Sequence, residues 1–416
     1  MHFSATKEEF LEKNLKYLQN ANEAGFETIE ISDYRFTDTL SRLEGGLIGD
    51  GKKFSTEKEL DDFISDCISW YKDIPGVNAV DIGDEPTWKG LESFGQIYKS
   101  LQRVWPESKK FYNFFPFALD ENLTASIGPV YPKKNQTLMD AAKEQYERYL
   151  NKALDEMGDV EYLRFDDYPM RPDCISYCHI PVLQVAAKVA KDRGVKLYAF
   201  TQTFDMLHYG RLKYRKINKM DAYWMNNLLL GFGVKGIGYF QYKARSENVT
   251  RGETFPDGSS LIARNGEKTY LYEIIQRITA ENQKFAPAIL NFEYNGSKAY
   301  QVSSEYDFSH LMFSDNSYKF KELKKLKINQ GGAFVTELFD KTNNRYMYMV
   351  MNVVSPFYTN PEYPEGITVE EFTVTFDKKY KNALVYQNGE SQSVPLQNGV
   401  YKTTLIAGEA VFVVPY

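Results

Sequence analysis

The chain has 416 residues, 43% hydrophobic and 25% charged, which is enough apolar material for a large core and a smaller second one. A net charge of −6 leaves no basic footprint, which argues against nucleic acid as a partner, and no apolar run reads as a membrane span. The start, MHFSATKEEF, lacks the charged and apolar regions of a signal peptide, so the sequence reads as cytoplasmic, or as exported by a segment it does not contain. Thr6 with Glu9 makes a capping-box signal, Leu11, Leu15 and Leu18 form a helical stripe, and Gly25 precedes a strand, FETIEIS, that ends at Asp33 and Arg35. Those two are candidates for a substrate-facing rim. The competing reading is a local ion pair that closes the loop.

A second unit repeats the first. Thr56 and Glu59 cap a stripe of Leu60, Phe63, Ile64, Cys67, Ile68 and Tyr71, which leads into residues 77–86, VNAVDIGDEP. Val77, Ala79, Val80 and Ile82 read as a strand covered on both faces, and Asp84 and Glu85 fall where it stops, ahead of Pro86 and Trp88. An acidic helix N-terminus with Pro in its first turn is the other reading of that stretch. A helix through Ile97 and Leu101 then feeds KKFYNFFPF, ending near Asn113. A helix over 138–157 feeds VEYLRFDDYP, in which Arg164, Asp166 and Tyr168 share one parity and Phe165 and Asp167 the other. A helix over Val182 to Ala190 precedes KLYAFTQTF with Gln202 near its end, and a helix over Ala222 to Leu230 precedes VKGIGYFQYK with Tyr239 and Gln241 near its end.

Strict alternation of helix and strand predicts a parallel sheet, and about six such units before residue 245 favour a (β/α)8 TIM barrel, which needs about eight. His2–Ser4 reads as the tail of a further strand. Residues 246–267 are polar and Gly-rich and read as a loop at the rim. Past a helix at 269–285 the period falls to two, with Pro287 at the seam. RYMYMVMNVV, FTVTF, ALVYQNG, GVYKTTL and EAVFVVPY are short strands separated by turn residues, as in an all-β sandwich. The expected domains are therefore a barrel over 1–286 and a β-sandwich over 287–416.

Composition and spacing argue against cofactor chemistry. Cys67 reads as core, and Cys174 and Cys178 share a predicted helical face without the spacing of a zinc site. With four His, no His-x-x-x-His pair and no calcium loop, no metal or cofactor is expected, and GFGVKG at 231–236 precedes a strand where a dinucleotide fingerprint must follow one. Carboxylates remain. Glycoside hydrolysis, the reaction implied by the family resemblance given below, takes one protonated carboxyl as proton donor and one ionised carboxylate as nucleophile or base. Glu85, its pKa raised by burial and by Asp84, is the expected acid, and Asp166 the expected partner, with Asp167 in reserve; charge pairing with Arg164 or Arg171 is the alternative for both. Asn113, Gln202 and Gln241 are strand-end amides suited to sugar hydroxyls. Trp88, Tyr168, Tyr239, Tyr34 and Phe115 are candidate stacking surfaces, in a chain with 31 Tyr and 28 Phe.

The order DIGDEP, YNFFPF, RFDDYPM, AFTQTF and GVKGIGYFQYK, followed by a short β-domain, resembles the clan A barrel glycoside hydrolases of bacteria, and a β-galactosidase-like group within them, over most of the chain. The resemblance implies a carbohydrate substrate, and it puts Glu85, before Pro86, at the place of that clan's acid/base Glu, with Asp84 where the clan has Asn. It also puts Gln202, a neutral amide, where the clan has its nucleophile. Two further readings follow. The triplet Gly83-Asp84-Glu85 is similar to that of hexosaminidases in which an Asp orients the substrate's own acetamido group as nucleophile. Gln202 alternatively marks a carbohydrate-binding barrel without catalysis. Neither sugar, linkage nor oligomeric state is legible in the sequence.

Overall fold

The computed structural model describes residues 6–120, 123–245, 252–301, 308–314, 316–329, 331–354 and 369–416. The chain forms two compact units, Met1–Asp166 and Asp167–Tyr416. His2–Ser4, read above as a strand tail, lies outside the described residues, as do 246–251 of the expected rim loop.

In the first unit helix α1 (Lys7–Glu23) starts where the Thr6 hydroxyl accepts the Glu9 N–H, and leads to strand β1 (Ile29–Ser32). Helix α2 (Glu57–Ile68) is capped in the same way by Thr56, buries Leu60, Ile64, Cys67 and Ile68, and leads to β2 (Val77–Asp84). Then come α3 (Leu91–Val104), β3 (Lys109–Asn113), α4 (Leu123–Ile127), α5 (Leu138–Met157) and β4 (Tyr162–Asp166). Strands β1, β2 and β3 pair in parallel, and β4 joins β3 through the parallel Phe114–Phe165 bridge and the Phe114 N–H on Arg164 O at 2.9 Å. The result is a run of four parallel strands. Tyr112 and Phe114 turn to the helices, where they meet Phe94, and Phe114 also meets Tyr149 of α5. Helices α3 and α5 cross so closely that a Cβ on Gly95 would lie 2.4 Å from the Glu156 carbonyl oxygen.

In the second unit α6 (His179–Arg193) leads to β5 (Lys196–Gln202), and α7 (Lys219–Gly231) leads to β8 (Gly236–Phe240), which is parallel to β5. Between them lies a hairpin that the sequence reading passed over, β6 (Met206–His208) and β7 (Arg211–Tyr214), turning at Tyr209 and Gly210, both with positive φ. A two-residue strand, β9 (Glu253–Thr254), pairs with β6 inside the expected rim loop. The cysteine expectation is corrected here: α6 begins only at His179, so Cys178 is its N-cap residue and Cys174 sits in the turn before it.

Helix α8 (Tyr270–Ile289) runs through Pro287, so the expected seam at 286/287 falls within a helix and the two-residue period begins after it. Strands β10 (Glu293–Gln301), β11 (Leu323–Ile328), β12 (Gly332–Asp340), β13 (Arg345–Asn352), β14 (Val369–Phe376), β15 (Asn382–Gln387), β16 (Glu390–Pro395), β17 (Val400–Ile406) and β18 (Ala410–Pro415) follow. They form a six-stranded antiparallel sheet, β10-β12-β13-β18-β15-β16, and a three-stranded one, β11-β14-β17. One apolar core lies between them: Val335, Val350 and Val413 from the first sheet meet Phe372, Val374 and Leu405 from the second. The other side of the large sheet carries α7 and α8, with Phe285 of α8 at 4.8 Å from the rings of both Tyr386 and Phe412.

Candidate active site

The first unit gathers its carboxylates at the C-terminal ends of β2 and β4. Strand β2 slips register against β3: Asp81 stands opposite Phe111, yet Asp84, three residues on, stands opposite Asn113, two residues on. This is a bulge. Gly83 makes it, with φ at +146° and so little room that a Cβ would lie 2.9 Å from Ser41 Oγ. The extra residue brings Asp84 to the face that Asp81 already occupies, and Asn113 donates from Nδ2 to Asp84 Oδ1 at 3.1 Å. Glu85 follows in the left-handed region, φ +51°, held by its N–H on Asn113 O at 2.8 Å. A non-glycine residue there costs of order 1 kcal/mol or more, and such strain clusters at functional sites.

Beneath these residues lies Tyr149, from the helix read over 138–157, which the sequence did not single out. It is fully buried and its hydroxyl donates to Pro86 O at 2.6 Å. Burial pushes its phenol well above the ordinary tyrosine range, and the charges of Glu85, Asp166 and Asp84 push it further. Three carboxylates thus sit within electrostatic reach of one hydroxyl. Asp166 is buried at the end of β4, Asp84 is exposed and Glu85 half-buried.

Nearer the middle of β1 and β2 lie two acids that the sequence reading also missed, an exposed Glu30 and a half-buried Asp81. Burial, and then the neighbouring Asp84, hold Asp81 above the usual carboxylate range, against hydrogen bonds from Gly83 N–H and Ser32 and the charge of Arg164. Glu30 of β1 is pushed up to about 7, by desolvation and then by Asp81, with Arg164 opposing, although water still reaches its side chain. The signal was in the sequence: an acid inside an otherwise apolar strand demands a reason.

Several expected contacts with substrate turn out to be contacts within the protein. Asp33 is fully buried, and its carboxylate takes the Arg35 guanidinium at 2.5 Å and the Tyr71 hydroxyl at 3.3 Å. Arg35 also donates to Cys67 O at 2.6 Å and lies over the Trp70 ring at 3.9 Å, so the pair fastens the loop to the end of α2. The ring of Trp88 is pressed against Gly128, where a Cβ would come within 2.7 Å of it, and the Trp88 backbone N–H donates to Ser126 O at 2.9 Å. Asn113 keeps capacity to spare, because its Oδ1 is buried with no partner among the described residues.

In the second unit Gln202 is corrected most plainly. It is fully buried, and its amide is consumed by main chain: Oε1 accepts from Met170 N at 3.0 Å, while Nε2 donates to Phe204 O at 3.0 Å and Arg215 O at 3.1 Å. Its role is to hold the hairpin β6–β7 and the segment at Met170. Tyr168 packs its ring among Phe204, Tyr214 and Phe240, at 4.9, 5.9 and 5.5 Å, in an aromatic cluster rather than as a sugar platform. Tyr239 points to α8, where its hydroxyl meets Thr279 Oγ1 at 3.3 Å. Asp167 is buried with His179 Nδ1 at 2.7 Å. Gln241 is buried with neither side-chain atom satisfied among the described residues, so it alone of the two glutamines has hydrogen bonds left to give. Among the described residues no three of His, Cys, Asp and Glu gather as metal ligands would.

No protein-family model matches the chain, and no curated protein matches it in sequence. Solved structures do resemble it. A GH27 β-L-arabinopyranosidase from Geobacillus stearothermophilus is 9% identical with a TM-score of 0.49, over 98% of this chain and 78% of that one. An Anoxybacillus α-amylase is 12% identical with a TM-score of 0.44, over 86% of this chain, which spans only 63% of the amylase's length. A GH30 endoxylanase from Clostridium papyrosolvens is 10% identical with a TM-score of 0.39, over 86% of this chain and 71% of that one. At such distances the function has to be argued from the residues.

Proposed function

We propose that the chain is a glycoside hydrolase acting on an oligo- or polysaccharide, with Glu85 as the proton donor and Asp166 as the carboxylate that attacks or activates water. The scaffold that goes with this reading is the closed (β/α)8 barrel over 1–286, ahead of a β-sandwich over 287–416. One observation carries it: Glu85, Asp84 and Asp166 converge at the ends of parallel strands around the Tyr149 hydroxyl, with Glu85 in a left-handed backbone conformation. Two carboxyl groups on opposite sides of a glycosidic bond are the machinery that bond requires. Asn113, with its spare Oδ1, is the amide proposed to meet sugar hydroxyls at this cluster.

A second reading rests on the bulge. Asp84 is exposed, next to the acid and oriented by Asn113, which is the placement an Asp needs to steer a substrate's acetamido group while that group attacks the sugar carbon in place of a protein nucleophile. The test is hydrolysis of a panel of aryl glycosides with and without a 2-acetamido group. Under the proposal Glu85→Gln loses roughly 10²- to 10⁴-fold in kcat/KM, while Glu12→Gln, an exposed control on α1, loses nothing. Turnover confined to acetamido sugars and preserved in Asp166→Asn selects the second reading. Sugar binding without turnover of any member by the unaltered chain overturns both and leaves a binding protein.

A further inference from the structure

A separate pocket lies in the second unit, on residues that play no part in the carboxylate cluster. It is a cavity of about 280 Å³ between α7, α8 and the hairpin β15–β16. Its floor is aromatic: the rings of Phe285, Tyr386 and Phe412 pack at 4.8 Å in the two pairs that involve Phe285. Its wall is made of amides and one acid. Asn226 and Asn282 hold each other through reciprocal Nδ2 to Oδ1 hydrogen bonds of 3.2 and 2.7 Å, and each keeps an N–H and a lone pair for a ligand. Glu281 is fixed by the Tyr223 hydroxyl at 3.0 and 3.1 Å and by Arg277 Nε at 2.9 Å. The hairpin turn closes down on that carboxylate: Gly389, φ +75°, leaves room for no side chain, since a Cβ would lie 2.8 Å from Glu281 Cγ. The Gln387 amide and the Tyr386 hydroxyl line the same space, and among the described residues neither side chain makes a hydrogen bond.

This combination selects a class of ligand. An aromatic floor suits a face of C–H groups, and a rim of neutral amides offers donor and acceptor side by side, which hydroxyl groups need and which phosphates or carboxylates do not. The one lysine at the rim, Lys284, is paired with Glu390 at 3.1 Å, so no unpaired cation invites an anion. We infer that this pocket is a binding site for a neutral sugar, one or two pyranose rings of a longer saccharide, independent of the carboxylate site.

The test uses the full chain titrated with methyl β-D-glucoside, methyl β-D-galactoside and methyl β-D-xyloside, followed by NMR on the side-chain amide signals of Asn282 and Gln387, a readout local to the pocket. At least one glycoside is expected to shift both signals along a saturating curve in the millimolar range. The Asn282 curve is expected to move to about tenfold higher concentration in Tyr386→Ala and in Ser391→Trp, the second an exposed position at the mouth where added bulk disturbs no core contact. In Glu85→Gln the curve is expected to stay where it was, whether or not that variant has lost hydrolysis. Absence of shifts with all three glycosides, or a curve that moves with Glu85→Gln but not with the two pocket variants, overturns the assignment.

Discussion

Two carboxylate centres in this molecule invite comparison, one in each unit. In the β-sandwich, Glu337 of β12 is fully buried and takes four donors: Tyr318 Oη at 2.6 Å, Asn295 Nδ2 and Lys321 N–H at 2.7 Å, and Tyr348 Oη at 2.9 Å. It is a structural acid with its oxygens occupied, and it raises the phenols of Tyr318 and Tyr348 beyond what burial alone achieves. At the strand ends of the first unit, Asp84 is exposed beside a strained Glu85, Asn113 has a buried oxygen unspent, and three acids crowd one phenol. In the first arrangement both carboxylate oxygens are taken up, whereas in the second the Asn113 Oδ1 has no partner among the described residues and Asp84 faces solvent. Spent or unspent hydrogen-bonding capacity, more than burial, separates the two roles.

The widest separation should come from paired substitutions. Asp166→Asn is expected to lower kcat/KM on a responsive aryl glycoside by roughly 10²- to 10⁴-fold while its melting temperature stays within a few degrees of the parent. Glu337→Gln should do the reverse: about 2–3 kcal/mol of stability lost in urea unfolding, because an amide nitrogen would face hydroxyl and amide donors, with kcat of the folded protein unchanged. Exchange of these two outcomes would break the comparison. The Asp33–Arg35 pair belongs with Glu337 rather than with the acids at the rim. Arg35→Met, which leaves Asp33 buried without its cation, is expected to cost about 3 kcal/mol and to leave KM alone, and a raised KM at unchanged stability would return the pair to the substrate site.

The alternation of helix and strand was legible because its causes are local. Thr6 and Thr56 cap as read, the helix over 138–157 has those bounds, and the α2 stripe buries Leu60, Ile64, Cys67 and Ile68, whereas α1 buries Phe10, Asn14 and Leu18 in place of the expected Leu11, Leu15 and Leu18. The site was legible only in part. Alternation along 77–86 would set Asp81, Gly83 and Glu85 on one face, and only the bulge, which depends on what Gly83 packs against, brings Asp84 across to Asn113. Gln202 looked like a free strand-end amide because its partners, the carbonyls of Phe204 and Arg215, are brought back by a hairpin whose Tyr209-Gly210 turn was not recognised. Tyr168 and Tyr239 were chosen by nearness to a strand end, and packing against Phe204 and Thr279 decided their direction instead. Local signals gave elements; side-chain direction at strand ends required tertiary contacts.

Tyr149→Phe sharpens the comparison on a smaller scale. The change removes one buried hydrogen bond to Pro86 O, so about 1 kcal/mol of stability should go. If the phenol also fixes the backbone that carries Glu85, kcat should fall by up to roughly tenfold at unchanged KM, since one decade is about 1.4 kcal/mol. A melting shift with no change in kcat would move Tyr149 to the side of Glu337.

The gentlest probe is pH. Glu30, lifted from 4.5 to about 7, and Asp81, shifted in the same direction, bind protons more tightly folded than unfolded. The favourable contribution of Glu30 is therefore complete below its unfolded value of 4.5 and is lost as pH rises toward about 7, and that of Asp81 is lost in the same direction from 3.8 upward. Urea midpoints measured across that window should therefore decline with pH, against the usual trend for carboxylates paired with cations. Glu30→Gln, which cannot ionise, should flatten the decline. An unchanged slope in Glu30→Gln would mean that water and Arg164 together satisfy the Glu30 charge, and the inner face of the sheet would then be polar without being strained.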